Sequence, residues 1–193
     1  GAKDNKLQVW DLDSGLYRRT LEGHRFPGWF PVTGVRVMAD GRRAVSASDD
    51  ETLRVWDLDN GACLSLLKGD WVMDCVVDLT PDGRRAVASG LSRVPVLQVW
   101  DLGSALCPRT IEVNGNHGWG SNMRIMPDGR SAVITHGDHT VRVWDLVTGK
   151  CLGLYSAIPL PCLIATGGLT QSIATYSDGN LVLLDLRGIS SGP

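Results

Sequence analysis

Two groups of residues in this sequence have the types and spacing that could carry chemistry. Residues 188–192 are GISSG, the GxSxG pattern of a serine nucleophile. That pattern needs a strand before it and a helix after it, and only Pro193 follows, so we predict no nucleophile here. His136 and His139 lie beside Asp138, but a zinc site needs three or four ligands and the sequence offers no further one nearby. We therefore predict no catalytic residue and no metal site.

Cofactor motifs are missing from the sequence as well. There is no GxxxxGK[ST] phosphate loop, no GxGxxG after a strand and no paired-cysteine zinc spacing, so we predict no cofactor. Of the five cysteines, Cys63, Cys107 and Cys151 each stand seven residues after a tryptophan, which favours a repeated structural position over a catalytic thiol. An odd cysteine count without CxxC predicts a reducing, cytoplasmic location.

The composition excludes two classes of partner. The chain has 193 residues, of which 19 are basic and 21 acidic, for a net charge of −2. A nucleic-acid-binding domain is expected to have a pI above about 9. No apolar run approaches the roughly 18 residues of a membrane-spanning helix. We therefore predict a globular protein that binds neither nucleic acid nor membrane.

The tryptophans that recur in this chain mark an internal repeat. Trp-Asp pairs begin at residues 10, 56, 100 and 144, with a worn copy at Leu184-Asp185, at intervals of 46, 44, 44 and 40 residues. Asp-Gly turns at residues 40, 82 and 128 keep a similar period. Between these marks the segments are β-branched and apolar, without a helical period. A period of about 40–45 residues ending in Trp-Asp is typical of a four-stranded propeller blade.

These marks resemble the WD40 repeat family of β-propellers over essentially the whole chain. The best-preserved unit runs from Gly23-His24 to Trp56-Asp57. The resemblance implies a buried hydrogen-bonded network of His24, Ser46, Asp50 and Trp56 within it.

The other units depart from the pattern. In the unit that ends at Trp144, His117 and Asp138 fit but Ile134 takes the serine place, and Asp70 stands for the histidine in the unit between. We therefore expect only the network of His24, Ser46, Asp50 and Trp56 to be complete.

The predicted fold is all-β: a WD40-type propeller forming an incomplete ring of about four to five four-stranded antiparallel blades. We predict one partial propeller domain over 1–193. It divides into strands c and d of a first blade (1–22), three blades (23–68, 69–112 and 113–155) and an incomplete last blade (156–193). Strands are lettered a to d from the inside of the ring outward. We expect a fragment of a larger propeller whose open blade ends allow self-association.

Loop lengths indicate where a partner binds. The d–a loop at residues 25–31 is about four residues longer than its counterparts, and the b–c loop at 91–95 is about two longer. Both open on one face in this fold. Aromatic and arginine side chains are enriched at interface hot spots, so we predict partner contacts at Phe26, Trp29, Phe30 and Arg93. Alternatively, Trp29 packs over the blade end, as its offset from the next Asp-Gly turn matches that of Trp71.

Three functions follow as hypotheses. The first is a non-catalytic scaffold that binds a protein or peptide through the d–a/b–c loop face. The second is a sensor or autoinhibitory segment of a multidomain ATPase, because the phrase at residues 81–87, PDGRRAV, resembles WD40 repeats attached to NACHT- or NB-ARC-type ATPases. The third is a propeller hydrolase with its site in the central channel. The arginine pairs at 42–43 and 84–85 are interpreted as a solvated face or, alternatively, a basic rim.

Overall fold

The computed structural model describes residues 5–24, 31–92, 96–113, 120–136, 140–155, 162–166, 171–175 and 181–185. Within these ranges the chain consists of strands and turns. The strands, in chain order, are β1 (Leu7–Trp10), β2 (Tyr17–Leu21), β3 (Val32–Val37), β4 (Arg43–Ser48), β5 (Thr52–Asp57), β6 (Cys63–Lys68), β7 (Met73–Leu79), β8 (Arg85–Leu91), β9 (Val96–Asp101), β10 (Leu106–Glu112), β11 (Gly120–Ile125), β12 (Ser131–His136), β13 (Val141–Asp145), β14 (Cys151–Tyr155), β15 (Cys162–Thr166), β16 (Gln171–Thr175) and β17 (Leu181–Asp185). None of the described elements is a helix long and apolar enough to cross a membrane.

The described strands form five sheets, and within each sheet the strands that follow one another in the chain pair antiparallel. The first sheet is β1–β2, the second β3–β6, the third β7–β10, the fourth β11–β14 and the fifth β15–β17. The leading strands of successive sheets contact each other: β3 with β7, β7 with β11 and β11 with β15. Successive antiparallel sheets whose inner strands contact one another are arranged as the blades of a propeller are. The predicted all-β, WD40-type fold class is confirmed.

The hydrophobic core lies between neighbouring sheets. Trp56 packs against Leu7 and Leu21 of the first sheet. Trp100 of the third sheet lies in a cluster with residues of the second sheet. Trp144 of the fourth sheet lies in a cluster with residues of the third sheet. The central strands therefore bury both faces, which explains their unbroken apolar character.

The aspartate of each Trp-Asp pair shapes the turn that follows. Asp57 Oδ1 accepts hydrogen bonds from the backbone N–H groups of Asp59 and Asn60 at 2.7 and 3.1 Å. The equivalent aspartates 11, 101 and 145 accept the same kind of bond. Such Asx turns pre-organise a tight connection. The pair thus joins a packing residue to a turn-forming one.

A charged bridge ties three inner strands together. Asp78 on β7 accepts from Arg36 Nε on β3 at 2.8 Å and from the backbone N–H of Ile125 on β11 at 2.9 Å. Arg124 Nη1 on β11 lies 3.7 Å from the same carboxylate. The bridge fixes the third sheet against both neighbours.

Candidate functional site

Four predicted residues of the second blade meet in one chain of hydrogen bonds. Trp56 donates its Nε1–H to Ser46 Oγ at 2.8 Å, and Ser46 Oγ lies 2.6 Å from His24 Nε2. His24 Nδ1 lies 2.9 Å from Asp50 Oδ2. Because the carboxylate can only accept, Nδ1 carries a proton, and in the neutral imidazole the Ser46 hydroxyl therefore donates to Nε2. The structure thus brings together the four side chains that the resemblance implied.

Asp50 ends this chain and anchors the turn between β4 and β5. Thr52 donates its hydroxyl and its backbone N–H to Asp50 Oδ1 at 2.6 and 3.0 Å. Burial by itself would raise the pKa of Asp50, but the hydrogen bonds from His24 and Thr52 outweigh it and hold the pKa below its usual value. The carboxylate stays ionised at neutral pH and fixes the turn on which it stands.

The third and fourth sheets carry the tryptophan of this network without its acceptor. Ala88 and Ile134 occupy the strand positions equivalent to Ser46. Among the described residues, nothing accepts a hydrogen bond from Nε1 of Trp100 or Trp144. Both rings are nevertheless buried. Packing between sheets, rather than the polar network, holds these two tryptophans.

A different polar pair replaces the histidine in the third sheet. Asp70 stands where His24 stands, and Gln98 Nε2 donates to Asp70 Oδ2 at 2.9 Å. The Asp70 backbone N–H donates back to Gln98 Oε1 at 3.0 Å. Sequence reasoning missed this pair, because only the swap of histidine for aspartate was visible. His117 and Asp138, predicted for the fourth unit, lie outside the described residues.

Of the two histidines weighed as metal ligands, the structure describes one. His136 is buried on β12, whereas His139 lies outside the described residues, as Asp138 does. In the ranges that the structure describes, no group of three His, Cys, Asp or Glu side chains could hold a metal ion.

One end of the sheets, which we call the loop face, carries the b–c and d–a loops. A groove of about 440 Å³ on this face lies between the second and third sheets. Both kinds of loop contribute to it: Glu51 and Ser92 come from b–c loops, and residues 69–72 form the d–a connection. The predicted contact residues lie outside the described residues: Phe26, Trp29, Phe30 and Arg93.

Trp71 forms the buried side of this groove. Its ring is 1% exposed, and its Nε1–H donates to the carbonyl of Ser48 at 2.9 Å. A Cβ placed on Gly69 would lie 1.8 Å from the Trp71 ring, so glycine is needed for this close approach. Val72 next to it is half exposed. The d–a connection therefore has one aromatic anchor in the core and an apolar side chain at the surface.

One carboxylate at the loop face, that of Asp49, is buried. Asp49 is 9% exposed, and its Oδ1 accepts no hydrogen bond from the described residues. Burial, together with the nearby carboxylates of Asp74 and then Asp50, raises the pKa of Asp49, although hydrogen bonds from the backbone N–H groups of Cys75 and Asp74 oppose the rise. Sequence reasoning treated Asp49 only as part of a turn, because its burial depends on the neighbouring sheet.

The opposite end of the sheets, which we call the turn face, carries the Asp-Gly turns. There Arg42 Nε pairs with Asp59 Oδ2, and Arg43 Nε with Asp40 Oδ2, both at 2.8 Å. These side chains are largely exposed, and exposed ion pairs stabilise a fold little. The geometry supports the interpretation of this arginine pair as a solvated face.

A family model described as WD domain, G-beta repeat, matches residues 15–57, the segment that contains the complete network. The chain is built of WD40 repeats. Autophagy-related protein 16 of Arabidopsis thaliana is 27% identical over 153 residues, which cover 79% of this WD40 chain and 28% of that protein. Nuclear distribution protein PAC1 of Arthroderma otae is 28% identical over 161 residues, covering 76% and 32%. Apoptotic protease-activating factor 1 of Mus musculus is 26% identical over 153 residues, covering 75% and 12%. The WD40 chain spans a third or less of the length of these relatives.

Proposed function

We propose that this chain is a non-catalytic interaction module whose loop face binds a protein or peptide partner. The observation that carries the proposal is the groove between the second and third sheets, built from both kinds of loop. Concave sites with an apolar lining and a few polar groups are where proteins bind ligands. WD40 repeats are a family of interaction scaffolds, which supports the same conclusion. The proposed surface also includes Phe26, Trp29 and Phe30 of the lengthened loop at residues 25–31 and Arg93 of the next unit, as the sequence predicts.

The proposal includes the setting of the module. We treat the sheets as one propeller domain divided after residues 22, 68, 112 and 155, with no cofactor and no nucleic-acid or membrane partner. The cysteines 63, 75, 107 and 151 are unpaired, which supports a reducing, cytoplasmic location. Trp10 is 53% exposed, whereas Trp56, Trp100 and Trp144 are buried, so self-association through the first sheet belongs to the proposal as well.

A second candidate is a sensor or autoinhibitory segment of a multidomain ATPase of the NACHT or NB-ARC type. The match to apoptotic protease-activating factor 1 fits this resemblance. Sequencing of the coding region upstream of residue 1 tests it. A nucleotide-binding domain in frame favours the second candidate, and its absence leaves the general scaffold.

The loop face is tested by shortening its longest loop. Deleting four residues within 25–31 brings that loop to the length of its counterparts. We expect the variant to fold, as judged by an unchanged denaturant midpoint, and to lose the partners that the intact chain captures and that mass spectrometry identifies.

The control for this deletion lies on the turn face. The double variant Arg42→Ala, Arg43→Ala removes two exposed ion pairs and should keep both folding and partners. Unfolding of the deletion variant would mean that the aromatic residues cover the blade end, and unchanged capture would refute recognition by this loop.

A further inference from the structure

Two arginines, which we call the rim pair, lie at the boundary between the first and second sheets. Arg19 is on β2 of the first sheet and reaches the second, because a Cβ placed on Gly61 would lie 3.4 Å from its Cδ. Arg54 is on β5 of the second sheet and lies beside the residues that follow β2, because a Cβ placed on Gly23 would lie 2.9 Å from its Nη1. The rim pair therefore brings two positive charges to one boundary.

Neither member of the rim pair is neutralised within the part of the chain that the structure describes. Nε of Arg19 and Nε of Arg54 are both buried and have no hydrogen-bond partner there. None of the ion pairs in the described ranges involves either residue. Glu22, three residues from Arg19, is bonded to Lys6 at 2.7 Å, and Asp57, three residues from Arg54, is held in its own Asx turn. Both charges are left without a counter-ion.

The positions equivalent to Arg54 in later sheets have an acceptor. Gln98 and Arg142 occupy this position in the third and fourth sheets. Gln98 Nε2 donates to Asp70 Oδ2 at 2.9 Å, and Arg142 Nε donates to Thr140 Oγ1 at 3.2 Å. The missing acceptor is therefore specific to Arg54 rather than a feature of the repeat.

Packing holds the two guanidinium groups close to residues 61–63. Cζ of Arg54 lies 6.0 Å from the centroid of the Trp56 ring, and the face of an aromatic ring attracts a cation. Nη1 of Arg54 lies 3.6 Å from Sγ of the exposed Cys63. Nη1 of Arg19 would lie 3.8 Å from a Cβ placed on Gly61. Both arginines are only partly buried, so a ligand can reach them from solvent.

We infer that the rim pair binds a phosphate group. The planar fork of N–H donors on a guanidinium matches the oxygens of a phosphate, and two guanidiniums without a counter-ion suit a group that carries up to two negative charges. The phosphate lies beside residues 61–63, with Cys63 at its edge. It is either a free phosphate ion or the phosphorylated side chain of a partner. This site is separate from the loop face, so it goes beyond the proposed function.

Cys63 reports whether the rim pair is occupied, and Cys151 is its matched control. Both are exposed and both stand opposite the tryptophan of a Trp-Asp pair. Each thiol contacts the carbonyl two residues further on, at 3.4 Å for Cys63 and 3.3 Å for Cys151. The two differ in their arginine, because Arg54 contacts Cys63 whereas its counterpart Arg142 bonds to Thr140. A bound phosphate should shield Cys63 and leave Cys151 accessible.

The test measures how fast the chain reacts at these two cysteines with N-ethylmaleimide, an uncharged thiol reagent. Mass spectrometry of the labelled peptides gives each rate separately. Inorganic phosphate replaces sodium chloride at constant pH and ionic strength, so that charge screening does not change. At about ten times its dissociation constant, phosphate should slow the reaction of Cys63 about tenfold, because only about a tenth of the sites stay free. The rate at Cys151 should not change.

Blocked phosphoserine distinguishes the two sources of the phosphate. Its ends carry no charge, and blocked serine is the control. Protection of Cys63 by phosphoserine at concentrations no higher than those of inorganic phosphate assigns the site to a phosphorylated side chain. Protection by inorganic phosphate alone assigns it to the free ion.

Substitutions of the rim pair complete the test. Arg19→Gln and Arg54→Gln should each remove most of the protection, judged by the Cys63 rate with and without phosphate in the same variant. Arg18→Gln, on the same strand, changes an exposed arginine that is already paired with Asp11 and should keep the protection. Denaturant midpoints show that each variant folds, and either arginine of the pair decides the question if the other variant does not fold.

Three results would each overturn the inference. The first is equal slowing of Cys63 and Cys151, and the second is no slowing of Cys63 by either phosphate compound. The third is protection that survives both Arg19→Gln and Arg54→Gln.

Discussion

Ser46→Ala is the sharpest perturbation of the buried network, because one hydroxyl serves two buried partners. Ser46 Oγ accepts from Trp56 Nε1 at 2.8 Å and lies 2.6 Å from His24 Nε2. Ser46 and Trp56 are essentially inaccessible to solvent. Alanine removes the oxygen and leaves both the indole N–H and the imidazole nitrogen without this partner.

The expected loss follows from that count. Each buried polar group that loses its partner costs about 1–3 kcal/mol, and two are affected, so we expect the free energy of unfolding to fall by about 2–6 kcal/mol if the two costs add. Urea unfolding followed by tryptophan fluorescence measures the loss as a lower midpoint at constant slope.

The matched control is the reverse exchange in the third sheet. Ala88 occupies the equivalent position and Trp100 Nε1 has no acceptor among the described residues. Ala88→Ser should change stability by no more than about 1 kcal/mol, because the new hydroxyl gains a donor but also needs its own acceptor. A loss below about 0.5 kcal/mol for Ser46→Ala would refute the reasoning, since surface changes are of that size.

Three further predictions concern the same two sheets and their copies. His24→Ala should lower the unfolding midpoint more than His117→Ala, since only the first removes a partner from a complete network; equal losses would contradict this. Asp49→Asn should stabilise the fold at neutral pH, because the folded-state pKa of Asp49 is raised and ionisation of this one carboxyl therefore costs stability as pH rises above about 3.8. The gain of the variant should therefore vanish as acid titration approaches that value, and a gain that persists there would argue against a charge effect. Gly69→Ala should destabilise by about 1–3 kcal/mol through overpacking against Trp71, and a midpoint equal to that of the wild type would show that the ring can move aside.

The repeat made the sheets predictable, because each blade is a local unit. The Trp-Asp and Asp-Gly marks recur at one period, and strands that follow one another also pair with one another. The same locality let His24, Ser46, Asp50 and Trp56 be assigned together. Ser46 and Trp56 lie on strands of the second sheet, Asp50 lies in the turn between these strands, and His24 precedes the first strand of the sheet. The family pattern therefore specifies their contacts.

Contacts between blades were not predictable in this way. The bridge of Arg36, Asp78 and Arg124 joins residues on three different sheets, and the burial of Asp49 depends on the start of the next sheet. One signal for the bridge was present: these three residues stand 42 and 46 apart, the intervals of the Asp-Gly turns, with alternating charge. Nothing in the spacing marked Asp70 and Gln98 as partners.

The complete network and the groove of the loop face are connected through one turn. His24 fixes Asp50, and Asp50 accepts the hydroxyl and backbone N–H of Thr52, so the connection that carries Asp49 and Glu51 is held from within the second sheet. Binding groups need rigid support to hold their geometry. The blade that keeps the full network is thus the blade whose b–c turn faces the groove, and a network variant that still folds should lose partner capture before it loses its sheets.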